Sequence, residues 1–276
     1  MIAFASNSLL CRAALKETNI DAASFTFVRI FSGAAALWLI MKARRRPSSV
    51  AAVYDRRTNG NWPSAFALFA YAAAFSFAYR SLSAGTGALL LFGAVQATMI
   101  LWAFGKGDRL RAIQIADLLV ALIGLIVLVF PGLSAPPLIG SILMLSAGVA
   151  WGVYSLCGKT AGDAAAATAG NFLRAVPFAA LVSIVMIREA RVDSLGLIYA
   201  LISGAITSGL GYVIWYAALP GLNAASAATV QLSVPVLAAT GGILLLGEPI
   251  TLRYVLASVA VLGGIFLVVI ERQREA

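Results

Sequence analysis

The chain has 276 residues, 61% of them hydrophobic and 11% charged, with a mean hydropathy of +0.94; soluble domains carry about 45–50% apolar and about 25% charged residues. A water-soluble fold could not cover that much apolar surface, and the hydropathy runs the whole length, so a soluble domain on one tether is excluded and a polytopic membrane protein is implied. The net charge of +9 comes with no basic surface interleaved with aromatics, which argues against a nucleic-acid partner.

A helix needs about 20 apolar residues to cross a hydrocarbon layer of about 30 Å, while membrane strands are shorter and alternate strictly. The long, non-alternating runs predict an all-α integral membrane fold with ten transmembrane helices, near 1–15, 22–42, 62–82, 86–104, 112–130, 137–158, 166–187, 195–217, 222–246 and 252–271. As a helix, Met1 to Leu15 extends only about 22 Å, so either the native start lies upstream or its first turns are missing. A cleaved signal peptide is disfavoured, because no basic segment precedes the run and no small-residue cleavage site stands before Lys16.

In chain order, the first span carries Asn7 and Ser8, and the second carries Arg29 well inside it. A charge there must snorkel, pair or line an aqueous cavity; snorkelling or a carbonyl partner is the favoured reading, with a gating or substrate role as the alternative. On the third span Tyr71, Phe75 and Tyr79 recur at i, i+4, i+8 and form one stripe. Gln96 lies in the fourth, Gly107-Asp108 closes it, and Asp117 opens the fifth beside Arg109 and Arg111.

The sixth span puts Trp151, Tyr154 and Ser155 on one face, while Gly148 and Gly152 speak of close packing. Gly158-Lys159-Thr160 is not a phosphate loop, since the required first glycine is Val153. Arg174 lies inside the seventh span, Tyr212, Trp215 and Tyr216 form a patch on the eighth, and Gln231 and Pro235 fall in the ninth. The proline removes a helical hydrogen bond and predicts a kink with exposed carbonyls. The belt at the membrane interface, where tyrosine and tryptophan collect, is the competing reading for Tyr79 and Tyr216.

Lysine and arginine set the orientation. Lys42, Arg44, Arg45, Arg46, Arg56, Arg57, Lys106, Arg109, Arg111, Lys159, Arg272 and Arg274 fall on one side, and Arg12, Lys16, Arg80, Arg188, Arg191 and Arg253 on the other. Twelve against six places both termini in the cytoplasm. Cys11 and Cys157 each lie inside a span and form no disulfide framework.

The two halves match. At an offset of 140, residues 122–129 fall on 262–269 and Gly107-Asp108 falls on Gly247-Glu248. Cys11 and Arg29 fall on Cys157 and Arg174 at 146 and 145, and Phe75 and Tyr79 on Tyr212 and Tyr216 at 137. These markers, in one order, predict two five-helix repeats, 1–131 and 132–276, integrated into one membrane domain. Five is odd, so the halves are inverted, the architecture of alternating access around a central cavity. Asp108 then lies on the cytoplasmic side and Glu248 on the outer side.

An arginine early in the second span of each half, a Gly-acidic turn between the fourth and fifth, and the Gly247-Glu248-Pro249-Ile250 turn together resemble the drug/metabolite transporter superfamily, in its EamA-type ten-helix members. The pattern is similar to the bacterial aromatic amino acid exporters of the YddG type, and the resemblance implies aromatic and neutral amino acids as cargo. The first half departs from it in having Asp108-Arg109 where glutamate is usual, with no counterpart to Pro235.

Apolar walls with a few polar groups suit a small amphipathic molecule better than an ion. The expected substrate-binding set is Asn7, Phe75, Tyr79, Gln96, Trp151, Tyr154, Tyr212, Trp215, Tyr216 and Gln231, with Arg29, Arg174, Asp108, Pro235 and Glu248 in structural or gating roles. No histidine exists and acids are few, so neither a nucleophile–base pair nor a metal set is encoded; the reading is a transporter and not an enzyme, with no cofactor. Partners are a small-molecule substrate and membrane lipids, with a monomer or homodimer, in the bacterial inner membrane. The alternatives are another cargo (drug, purine or nucleotide sugar) and a membrane sensor or enzyme.

Overall fold

The structure is a computed structural model that describes residues 1–44, 60–107, 135–159, 161–222 and 233–260, with shorter pieces at 119–120, 123–124, 126–128, 130, 227 and 230–231. Within these residues the chain is helical and contains no strand. The elements are α1 (Ile2–Glu17), α2 (Ala22–Arg44), α3 (Trp62–Tyr79), α4 (Ala84–Gly105), α5 (Leu138–Gly158), α6 (Ala164–Val185), α7 (Ser194–Ile202), a π-helical stretch (Ser203–Leu210), α8 (Gly211–Ala218) and α9 (Ser233–Leu246). Helical turns follow over 252–260.

Five helices are long and apolar enough to cross a membrane: Ala22–Ala43, Ala84–Gly105, Leu138–Gly158, Ala164–Val185 and the composite Ser194–Gly221. Most of the predicted fifth span and the second half of the tenth, with Asp108 and Asp117, lie outside the described residues. Outward faces carry Phe31, Trp38, Leu101, Phe104, Ile139, Ile184 and Leu244, all exposed, which in a bilayer is contact with lipid rather than with water.

The helices start where a capping side chain supplies an acceptor for their orphan N–H groups. The Asn61 amide oxygen accepts from Ser64 N at 2.8 Å, Ser83 Oγ from Thr86 N at 3.3 Å, and Asp163 Oδ1 from Ala165 N and Ala166 N at 2.8 and 3.0 Å. Two helices end on a left-handed glycine, Gly107 after α4 (φ +89°) and Gly247 after α9 (φ +60°), a conformation that a side chain would strain. These are the two glycines that the repeat superposes.

Packing crosses between the halves of the sequence. α3 and α4 of the first half pack on α5 of the second, while α9 and the α7–π segment pack on α1; α2 lies against α6 and the π-helical stretch, and α3 against α6. The pairings of α3 and α4 with α5 thus correspond to those of the α7–π segment and α9 with α1, and α3–α6 to the pairing of α2 with the π-helical stretch.

Candidate functional site

Arg29 stands at the centre of the bundle. Its helix starts at Asp21, whose Oδ1 accepts from Ala23 N and Ser24 N at 2.9 Å each, while Oδ2 accepts from Arg191 N at 2.9 Å. Partial burial pushes the Asp21 carboxyl up, but the hydrogen bonds from Ser24, Arg191 and Ala23 outweigh it and hold the group below its ordinary value. Two turns further, the Arg29 side chain is 1% exposed. It does not snorkel: Nε donates to Ser208 Oγ at 3.0 Å, and Nη2 donates to Tyr71 Oη at 3.1 Å and to Tyr212 Oη at 2.7 Å. The guanidinium lies over the rings of Tyr71 (5.2 Å) and Phe75 (4.9 Å). Its Nη1 has no hydrogen-bond partner among the described residues.

Asn7 of α1 joins the same knot. Its Nδ2 donates to Tyr71 Oη at 3.3 Å and Tyr212 Oη at 3.5 Å, and its Oδ1 accepts from Ser203 Oγ and Thr207 Oγ1 at 2.5 and 3.2 Å. Ser203, Thr207 and Ser208 all reach this core because the backbone there is π-helical, a wider turn found often at functional sites. Gly204 permits the approach, since a Cβ there would collide with the Arg29 carbonyl and Ser32 Oγ. These three hydroxyl residues are absent from the sequence-derived set. Their signal was a run of small and hydroxyl residues inside an apolar span, which carries no marker of helix register.

Around the knot the aromatics form one continuous column. Ring centroids follow one another from Tyr79 to Phe75 (4.7 Å), Phe75 to Tyr71 (5.3 Å), Tyr71 to Trp151 (4.9 Å), Trp151 to Tyr154 (5.5 Å) and Tyr154 to Tyr216 (4.8 Å), with Tyr212 4.6 Å from Trp151. Phe4 of α1 packs edge-on against Trp151, Tyr212 and Trp215. Tyr79 and Tyr216 are buried inside the bundle rather than in an interfacial belt: Tyr79 Oη donates to Ala84 O at 3.2 Å, and Tyr216 Oη to Tyr154 O at 2.9 Å.

Both glutamines are buried. Gln231 Oε1 accepts from Trp151 Nε1 at 2.6 Å and its Nε2 donates to Ala227 O at 3.0 Å, so it orients the central indole. Gln96 is buried on α4. Trp215 Nε1 donates to Ser155 Oγ at 3.0 Å. Arg174, the sequence counterpart of Arg29, is half-buried and donates from Nη1 to Gly170 O of its own helix at 2.9 Å. The Pro235 carbonyl accepts from Tyr254 Oη at 3.5 Å.

At the end where α1 stops, a separate latch forms. Arg12 Nε pairs with Glu248 Oε1 at 2.9 Å, and Arg12 Nη1 donates to Tyr79 O at 2.9 Å. Glu248 Oε2 accepts from Ala84 N at 2.8 Å, at the start of α4, where a helix dipole favours an anion. Lys16 Nζ donates to Leu246 O at 2.9 Å. The latch ties together α1, the α3–α4 turn and the end of α9, beside a crevice of about 160 Å³ lined by Ser83, Thr86, Pro249 and Tyr254. Among the described residues no three metal-ligating side chains come together.

A family model for the EamA-like transporter family matches residues 138–270. An uncharacterized protein of Pseudomonas aeruginosa is 57% identical over 272 residues, 99% of this chain and 92% of that protein. An uncharacterized transporter of Archaeoglobus fulgidus is 27% identical over 196 residues, 69% of this chain and 70% of that one. Among solved structures, the crystal structure of a protein 18% identical superposes with a TM-score of 0.66 over 96% of this chain and 92% of its own, a likeness of fold alone.

Proposed function

Residues 138–270 match the EamA-like transporter family; from that premise we propose that the chain is a multi-pass membrane transporter that exports neutral and aromatic amino acids and related small amphipathic metabolites across the bacterial inner membrane by alternating access. The observation that carries this reading is the aromatic column with a buried, partly unpaired arginine at its middle. Stacked rings offer a sequence of apolar faces to a flat side chain, and the guanidinium offers fixed donors to a polar head. Among the described residues Arg29 is the single fully buried cation, which suits a cargo with one charged group better than a polyphosphate.

The crossed packing of the halves and the paired left-handed glycines support an inverted repeat, 1–131 and 132–276, whose two near-equivalent arrangements open one central site to either face. In this reading the Arg12–Glu248 latch is the outer closure, both termini are cytoplasmic, and lipid covers the exposed apolar faces of a monomer or homodimer. The test is counterflow of labelled phenylalanine into liposomes reconstituted with the purified full chain. Uptake against unlabelled phenylalanine inside, absent from protein-free liposomes, is expected; no exchange with phenylalanine or any neutral amino acid would overturn the cargo.

A further inference from the structure

Donors outnumber acceptors in the core around Arg29. Arg29 Nη2, Asn7 Nδ2 and a tyrosine hydroxyl all converge on the Tyr71–Tyr212 oxygen pair, whose own separation is 3.1 Å. Whichever tyrosine donates to the other, one phenolic oxygen with two lone pairs faces three donors. The Asn7 carbonyl oxygen accepts from Ser203 Oγ, and the single proton of Thr207 is shared between that oxygen and the Ser203 carbonyl. Arg29 Nη1, buried with the rest of its side chain, has no acceptor among the described residues. A desolvated cation with a surplus of donors lacks an anion.

The protein does not supply one from the described residues. Their six acids, Glu17, Asp21, Asp163, Glu189, Asp193 and Glu248, all stand at helix ends or in turns. Glu248 is committed to Arg12 and to Ala84 N. A cationic head fares poorly as well, because the ring faces of Tyr71 and Phe75 that could take an ammonium already carry the Arg29 guanidinium.

Building on the transport reading, we propose that this core recognises its solute by a single carboxylate, taken by Arg29 Nη1 and the surplus tyrosine hydroxyl, and makes no use of an α-ammonium group. The solute class is an organic monoanion with an apolar or aromatic body, and an amino acid binds through its acid end. Its body lies against Trp151, held in orientation by Gln231.

Three probes of one skeleton test this: phenylalanine, 3-phenylpropionate without the amine, and phenethylamine without the acid, each measured by calorimetry on the purified full-length protein in detergent. Expected are 3-phenylpropionate binding at least as tightly as phenylalanine, phenethylamine at least about tenfold weaker than either, and a loss of about tenfold or more for both acids in Arg29→Gln, the size of a charged hydrogen bond in a desolvated site. Arg29→Lys falls between. Tighter binding of phenylalanine than of 3-phenylpropionate, or phenethylamine binding as well as the acids, overturns the proposal and leaves amino acid transport standing. If none of the three binds to monodisperse wild-type protein, the amphipathic cargo itself falls. Should Arg29→Gln not fold, the wild-type series decides alone.

Discussion

Two arginines, seventeen residues apart in the chain, solve the same problem in opposite ways. Arg12 at the latch is neutralised by a carboxylate, and the carboxylate is in turn fixed by Ala84 N, so every element there has its partner inside the protein. Arg29 in the core is ringed by hydroxyls and aromatic faces and keeps one nitrogen unpaired. A satisfied ion pair closes a structure, while an unsatisfied cation leaves work for something that arrives from outside. The lesson is that burial of a charge does not by itself identify its role; the inventory of its partners does.

The comparison breaks most sharply if both arginines are replaced by methionine, which keeps an unbranched apolar stem and removes the charge. Arg29→Met is expected to abolish amino acid counterflow while shifting unfolding stability by no more than about 1 kcal/mol, because an uncompensated buried cation is removed along with its hydrogen bonds. Arg12→Met leaves Glu248 buried without its cation and is expected to cost about 3 kcal/mol, read as a fall in thermal midpoint in detergent. Equal destabilisation by the two would erase the distinction drawn between latch and core.

A smaller effect is expected at Gln231→Ala, which strands the Trp151 indole N–H without its acceptor at a cost of about 1–3 kcal/mol and reduces flux in folded protein. Tyr212→Phe removes one of the two phenolic oxygens that Arg29 faces; a loss of about 1 kcal/mol in stability with a several-fold fall in transport sharpens the case that the hydroxyl belongs to the site. Smallest is Asp21→Asn. Because the folded-state group titrates below its ordinary value, its contribution is complete above the unfolded pKa of about 4 and is lost as pH falls through the lower folded value. The variant is expected to flatten stability against pH only in that acid window, with a loss of under about 1 kcal/mol at neutral pH, since asparagine still caps a helix.

Much of this was readable from the residues. Run length and the flanking polar residues located α1 to α8 to within a few positions, while most of the fifth span and parts of the ninth and tenth lie outside the described residues, and the spacing of Tyr71, Phe75 and Tyr79 gave one face of the column. The Gly247-Glu248 turn announced itself by interrupting an apolar stretch. What escaped depends on three-dimensional register. The π-helical turns place Ser203, Thr207 and Ser208 by a backbone widening that leaves no periodic trace, and hydroxyls are common in membrane helices for packing alone. Arg29 and Arg174 occupy matching positions in sequence, yet Arg29 reaches tyrosines on two other helices while Arg174 Nη1 donates back to its own helix. Gly204 lets the π-helical stretch close on the Arg29 backbone.

The column also divides the molecule's five tryptophans into two optical classes. Trp38, Trp62 and Trp102 are 56%, 57% and 51% exposed on the outer face, whereas Trp151 and Trp215 are 2% and 3% exposed. Brominated lipid acyl chains quench indole emission by contact, so they darken the outer tryptophans and spare the inner two. The light that remains then comes from the two buried indoles, one of them packed on the tyrosines that hold the arginine, and the wild-type protein carries its own spectroscopic probe of that core.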